Sequence, residues 1–339
     1  MTTRGPAQAG LDVLDGYDVL LVDLDGTVFA GGSAIDGAHQ GLDGRRLVFI
    51  TNNASRSPGQ VAEHLSSLGF SATADDVLTS AQAACVLAAG LLEGRTDPRA
   101  YVVGAESFRE LARQAGFTLV DSADGPQGTP DVVLQGHSPD NGWTELSEAA
   151  LAIRAGALHV ASNLDTTLPS ERGFLVGNGS MVAAVTSATG VTPYSAGKPL
   201  APMFDTAVAN TGAKHPLAVG DRLDTDIAGG IAAGIDTLCV LTGVATHTQL
   251  LTTEHRPTHI AANLRDHLTG WNATTGTVDD PTAIIVHSGE TGPVAVMAAE
   301  AVAVAAPLSW AALDAGAEAP QVHAADGDTA AAEALEAWR

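Results

Sequence analysis

The chain has 339 residues, enough for two domains of ordinary size. Its formal net charge is −23, from 39 acidic against 16 basic residues, which argues against nucleic acid and against an anionic membrane surface as partners. Hydrophobic residues make up 45% but aromatic ones only 4%, so the core is expected to rest on Ala, Val and Leu.

Asp18–Leu24 reads as a short buried strand ending at an Asp-Gly turn, and Arg46–Ile50 as a second strand followed by polar TNNASRS. Ser57 is placed as an N-cap, with Pro58 at the first helical position and Gln60 closing a capping box. That helix runs to about Leu68, where Gly69 stops it, and another covers Thr79–Leu92. Strands are then expected at Ala100–Val103, Val132–Gln135 and Leu158–Ser162. The helices between and after them are Ser107–Gln114, Glu145–Arg154, Met181–Ala188 and Ala201–Asn210. Leu217–Val219 and Thr237–Leu241 close the series as strands around a helix at Ile227–Ala233. Strands alternating with helices imply parallel sheets covered by helices, an α/β fold.

The tail from Trp271 has weaker punctuation, with a strand at Thr282–His287 and a helix at Thr329–Trp338. Its most apolar window, Pro293–Ala312, contains Glu300 and Pro307 and makes a poor membrane span. The N-terminal stretch to Gly16 lacks the apolar run of a signal peptide. Cys85 and Cys239 form neither a CxxC pair nor a zinc spacing, and Cys239 sits in an apolar run. A reducing cytoplasm is the expected location.

Four polar clusters follow strands, where open α/β sheets bind ligands. The first is Asp23-Leu24-Asp25-Gly26-Thr27. A carboxylate at a strand end can attack phosphorus, and a second one two residues on can exchange protons with the leaving oxygen and the attacking water. The plain alternative is a hairpin turn with a spare acid. The second cluster is Thr51-Asn52-Asn53, whose hydroxyl and backbone N–H groups suit phosphate oxygens; a capped loop is its alternative. The third is Gly197-Lys198-Pro199. Only two lysines exist, Lys198 and Lys214, which makes one at a helix start suggestive of a phosphate-binding point charge; a solvated surface lysine is its alternative. The fourth is Gly220-Asp221-Arg222-Leu223-Asp224-Thr225-Asp226, where clustered carboxylates suit Mg²⁺ and Asp224 or Thr225 can equally cap a helix.

VDLDGTV, FITNNASRS, GKP and GDRLDTDI, in this order and with a long insert between the second and third, resemble the haloacid dehalogenase-like (HAD) phosphatases of the NagD/4-nitrophenylphosphatase type. The resemblance implies a Rossmann-like core with a parallel sheet, residues 1–80 and 190–270. It further implies an inserted α/β cap of the C2 type at 81–189 and a small C-terminal extension at 271–339. It makes Asp23 the nucleophile and Asp25 the acid/base. Thr51, Asn52 and Lys198 become phosphate-binding, and Asp221 a metal ligand beside Asp23 and the Asp25 carbonyl. Asp226 is a supporting acid and Mg²⁺ the cofactor. Ala161–Gly179 is similar to the cap-to-core return of actinobacterial members, D-glycerol 3-phosphate phosphatases among them. Asn163, Asp165 and Arg172 are therefore expected to bond a polyol, although turn-capping and surface roles are the alternatives.

The implied enzyme is a phosphoric monoester hydrolase for a small phosphorylated metabolite, with glycerol 3-phosphate foremost. Phosphoglycolate, pyridoxal phosphate, a nucleotide and 4-nitrophenyl phosphate stand as alternative substrates. A phosphotransferase and an idle phospho-ligand sensor are the rival functions, and the resemblance leaves room for a homo-oligomer formed through the cap. His137, after a strand, reads as a solvated loop histidine rather than a catalytic one. All four motifs precede Ala228, so removal of Thr277–Arg339 is expected to spare them.

Overall fold

The computed structural model describes residues 11–125, 128–170, 172–276 and 280–339. The signal-peptide reading falls mostly on residues 1–10, and the readings of Ala161–Gly179 and of the tail touch 171 and 277–279, all outside the described residues. The chain divides into two compact units, one formed by the chain up to Leu47 together with Gly212–Arg339, the other by Val48–Thr211.

In the first unit, parallel strands run in the order His259–Ala261, Asp236–Val240, Pro216–Gly220 and Val19–Val22. Val19–Val22 (VLLV) is buried throughout, which is why it reads as an unbroken apolar run rather than an alternating one. Its register against the next strand pairs Val22 with Val219. The residues that follow the two ends, Asp23 and Asp221, are thereby delivered side by side.

The expected tail strand and helix are found at Ile284–His287 and Thr329–Glu336. Between them, Val294–Asp314 is one helix of 21 residues, unforeseen in the sequence, with Pro307 inside it. A proline there removes one helical hydrogen bond, yet the Ala-rich sequence and close packing carry the helix through. The helix is long and apolar enough to cross a membrane by length and composition, but its Val302 and Ala306 pack against Ile227, Cys239, Leu250 and Ile260. Ser309 Oγ and Trp310 Nε1 donate to the carbonyls of Leu251 and Leu250 at 2.8 and 2.7 Å. Burial raises the Glu300 carboxyl, which accepts the Leu268 N–H at 3.0 Å. Met297, Ala301 and Ala305 also face a small sheet of Asn272–Thr275, Ile284–His287 and Val322–Ala324.

In the second unit, Leu47–Thr51 pairs in parallel with Val77–Thr79. The Pro58–Ser67 helix has the expected box, with Ser57 Oγ accepting Gln60 N–H and Gln60 Oε1 accepting Ser57 N–H. Thr79 and Gln82 repeat the device at Ser80–Leu91. A five-stranded parallel sheet follows, in the order Tyr194–Ser195, Leu158–Ala161, Val132–Gln135, Arg99–Val103 and Thr118–Leu119. Ala161 pairs with both Gln135 and Ser195, so the loops that begin at Gly136, Ser162 and Ala196 leave one edge together. An unforeseen hairpin, Thr167–Ser170 with Gly173–Val176, exposes Phe174, Leu175 and Val176.

The packing of Val294–Asp314 makes the tail part of the first unit's core. Each apolar side chain that loses its cover costs about 1.5–3 kcal/mol against a total stability of roughly 5–15 kcal/mol. A chain ending at Gly276 is expected to lose cooperative thermal unfolding by circular dichroism. A sharp transition within a few degrees of the full chain would show that the helix is dispensable.

Candidate active site

Asp23 leaves the Val19–Val22 strand with its N–H bonded to the Val219 carbonyl at 2.9 Å. Asp221 and Asp226 belong to the polar turn after Pro216–Gly220, which continues as a π-helical turn, Leu223–Ile227, before the Ala228–Ala232 helix. One oxygen of each of Asp23, Asp221 and Asp226 lies within 4.8 Å of the others, and all three side chains are buried. Buried carboxylates so close repel one another, and a hard divalent cation with oxygen ligands is what relieves them.

The carboxylates are held from several sides. Asp221 accepts the Val244 N–H at 2.7 Å and the Thr27 hydroxyl at 3.5 Å. Thr242 Oγ1 donates to the Gly26 carbonyl at 2.7 Å, tying the first motif to the loop after Asp236–Val240. Asp226 Oδ2 accepts the Arg222 N–H at 3.1 Å. Side-chain room comes from glycines: a Cβ on Gly26 or on Gly243 would collide with the Asp221 carboxylate, and Gly26 also has a φ of +88°. Burial, then Asp221 and Asp226, push the Cys239 thiol upward, so it stays protonated and inert. Asp25 is exposed, in contrast to Asp23.

Asp224 and Thr225 do not cap the following helix. Asp224 instead makes two bonds to the Arg222 guanidinium, at 3.1 and 2.8 Å, and the π-helical turn itself leads into Ala228.

In the second unit, Thr51 is buried and its Oγ1 accepts the Asn53 N–H at 3.1 Å. Asn52 Nδ2 donates to the Asp165 carboxylate at 3.1 and 3.3 Å. Asn163 is buried, with Nδ2 donating to the Asn52 carbonyl at 2.7 Å and Oδ1 accepting the Asp165 N–H at 3.2 Å. Lys198 is only 4% exposed, in the loop between Tyr194–Ser195 and the Pro202–Thr211 helix. Asn52, Asn163, Asp165 and Lys198 thus form one cluster. Arg172 stands apart, exposed at the turn of the hairpin with its N–H on Ser170 Oγ at 3.2 Å.

His137 is half-buried rather than a solvated loop residue, and burial lowers its pKa. Ser55 Oγ donates to the His137 carbonyl at 3.0 Å and lies 3.0 Å from His137 Nδ1.

Two family models match the chain, one for haloacid dehalogenase-like hydrolases over residues 20–118 and one for HAD-hydrolase-like proteins over residues 195–267. The D-glycerol 3-phosphate phosphatase of Mycobacterium tuberculosis is 50% identical over 253 residues, 74% of this chain and 70% of that protein. The crystal structure of a glycerol phosphate phosphatase of M. tuberculosis with magnesium superposes with a TM-score of 0.82 at 41% identity, covering 98% of this chain and 99% of that one. The 4-nitrophenylphosphatase of Thermotoga maritima superposes with a TM-score of 0.67 at 29% identity, covering 74% of this chain and 96% of that one. The chain belongs to the haloacid dehalogenase-like hydrolases.

Within this HAD chain Asp226, expected as a supporting acid, shares the buried carboxylate group with Asp23 and Asp221. Thr242, Gly243 and Val244 are not among the residues expected from the sequence. Their signal was the Leu241-Thr242-Gly243 turn directly after the apolar Asp236–Val240 strand, a ligand-binding position in an open α/β sheet. Residues that orient metal ligands typically change affinity about 10–100-fold when lost. Gly243→Ala, which displaces the Asp221 carboxylate, is expected to weaken Mg²⁺ binding by at least about tenfold in titration calorimetry. Unchanged affinity in a folded variant would remove Asp221 from the metal site.

Proposed function

We propose that this chain is a Mg²⁺-dependent phosphatase that works through an aspartyl-phosphate on Asp23 and takes glycerol 3-phosphate as its substrate. The observation that carries the reading is the buried carboxylate group of Asp23, Asp221 and Asp226, two residues from the exposed Asp25. Its donor set fits Mg²⁺. Bound there, the ion neutralises phosphate charge and draws the phosphoryl group toward Asp23.

The chemistry then belongs to the chain. An Asp23 carboxylate oxygen forms a bond to phosphorus as the bond from phosphorus to the alcohol oxygen breaks, and Asp25 gives that oxygen its proton. Asp25 next takes a proton from water, whose oxygen attacks phosphorus and frees Asp23. The exposure of Asp25 suits a group that takes its proton from an incoming water. Thr51 and Lys198 are assigned to the phosphate side, and Asn52 acts through Lys198 as argued below. The Asp25 carbonyl is assigned to the metal.

We assign 1–80 with 190–270 to the core, 81–189 to the cap and 271–339 to an extension. Selectivity is assigned to the Ser162–Arg172 stretch outside Asp165, since a site built to bond hydroxyls rejects analogues lacking them. The buried cysteines, both free thiols, support a reducing cytoplasm.

The test is a panel of phosphomonoesters assayed for phosphate release with Mg²⁺ and with chelator. Glycerol 3-phosphate is expected to be turned over more efficiently than equally small phosphates lacking its hydroxyls. Asp23→Asn should lower that turnover by at least about 10³-fold with folding intact. More than a tenth of the activity left in Asp23→Asn ends the covalent mechanism. A flat panel ends the substrate assignment, and transfer to added alcohols in place of release makes the chain a phosphotransferase.

A second copy of the chain is the proposed cover for the exposed hairpin, whose Phe174 is 79% and Val176 63% accessible. Phe174→Asp is expected to shift the protein to the monomer in light scattering, and a wild-type monomer would dismiss the oligomer.

A further inference from the structure

Both ends of the Asn52 side-chain amide are committed to Lys198. Oδ1 accepts the Lys198 N–H at 2.9 Å, and Nδ2 donates to the Lys198 carbonyl at 3.1 Å. This is how a neighbouring strand would pair, one amide matched to the N–H and C=O of a single residue. The remaining Nδ2 hydrogen is shared between Asp165 Oδ2 at 3.1 Å and Oδ1 at 3.3 Å. A primary amide has two donor hydrogens, so none is left for a phosphate oxygen.

The amide is itself held from behind. The Asn52 carbonyl accepts Ser80 Oγ and Asn163 Nδ2, each at 2.7 Å. A Cβ on Gly197 would lie 2.6 Å from the Ser162 carbonyl, 2.7 Å from Asn52 Oδ1 and 2.9 Å from Asn163 Cβ. Only glycine before Lys198 lets its loop come this close to Asn52.

We infer that Asn52 is a positioning residue: its side chain pins the main chain of Lys198, is oriented in turn by the Asp165 carboxylate, and does not touch the substrate. The inference rests on the phosphatase reading, in which Lys198 grips the phosphoryl group. A lysine ammonium sits at the end of a flexible four-carbon stem, so fixing its backbone limits where the charge can reach. A misplacement of about 1 Å in a catalytic group can cost about 10²-fold in rate. An acid at position 52 would set a carboxylate against both Asp165 and the Lys198 carbonyl, which explains the amide.

A double-mutant cycle tests this, with 4-nitrophenyl phosphate and glycerol 3-phosphate as substrates and every assay run below the melting point of each variant. Asn52→Asp keeps the acceptor for the Lys198 N–H, loses both donors, and is expected to lower kcat about 100-fold on both substrates. Asp165→Asn is expected to lower kcat less, again on both. In the double variant the amide at 165 donates to the carboxylate at 52, and kcat should recover at least about tenfold over Asn52→Asp. Asn52→Ser, which deletes the side-chain bonds without adding charge, should lose as much and gain nothing from Asp165→Asn. Additive losses in the Asn52→Asp cycle, or losses confined to glycerol 3-phosphate, overturn the inference and return Asn52 or Asp165 to direct substrate contact. If the wild type releases no phosphate from either ester, the phosphatase reading fails and takes this inference with it.

Discussion

The first unit is organised around the cost of burying three carboxylates together. Asp23, Asp221 and Asp226 come within 4.8 Å because parallel strands in the Val22–Val219 register end side by side. In low dielectric three like charges this close repel one another. The surrounding loops keep them from moving apart: the Val244 N–H, the Thr27 hydroxyl and the Arg222 N–H each hold a carboxylate oxygen. The strain of like charge is therefore kept in place, and a divalent cation gains the binding energy that its relief releases. The same requirement explains Gly26 and Gly243, which surrender side chains so that Asp221 can sit between them.

The second unit solves a different problem, the placement of a single cation. Lys198 is buried. Its main chain is fixed by an amide whose donors and acceptor are all engaged, and Asp165 brings a negative charge to the same cluster. The register Gln135–Ala161–Ser195 is what collects these loops, because three adjacent parallel strands end level with one another.

Much of this was legible in the sequence. Asp23, Thr51 and Asp221 each follow a short apolar strand, and strand ends in α/β folds are where ligands bind. The Ser57-Pro58-Gln60 box was readable because capping is local chemistry between residues three apart. What stayed hidden depends on partners distant in sequence. Nothing near Asp226 distinguishes a supporting acid from a member of the carboxylate group. Asn52 looked like one of several phosphate-loop residues because Lys198 and Asp165 lie far along the chain. The Val294–Asp314 helix contains Pro307, and only its packing on Leu250 and Ile260 shows why the helix tolerates it.

The overall charge of −23 sets a last constraint on the phosphatase reading. A phosphomonoester approaches a surface that repels it, and at physiological salt that repulsion is screened over about 8 Å. Long-range steering therefore opposes the encounter, and attraction must come from groups close to the phosphate. In the first unit that group is a cation held by Asp23, Asp221 and Asp226. An acidic protein built this way holds anions only where its own geometry reverses the sign of the field.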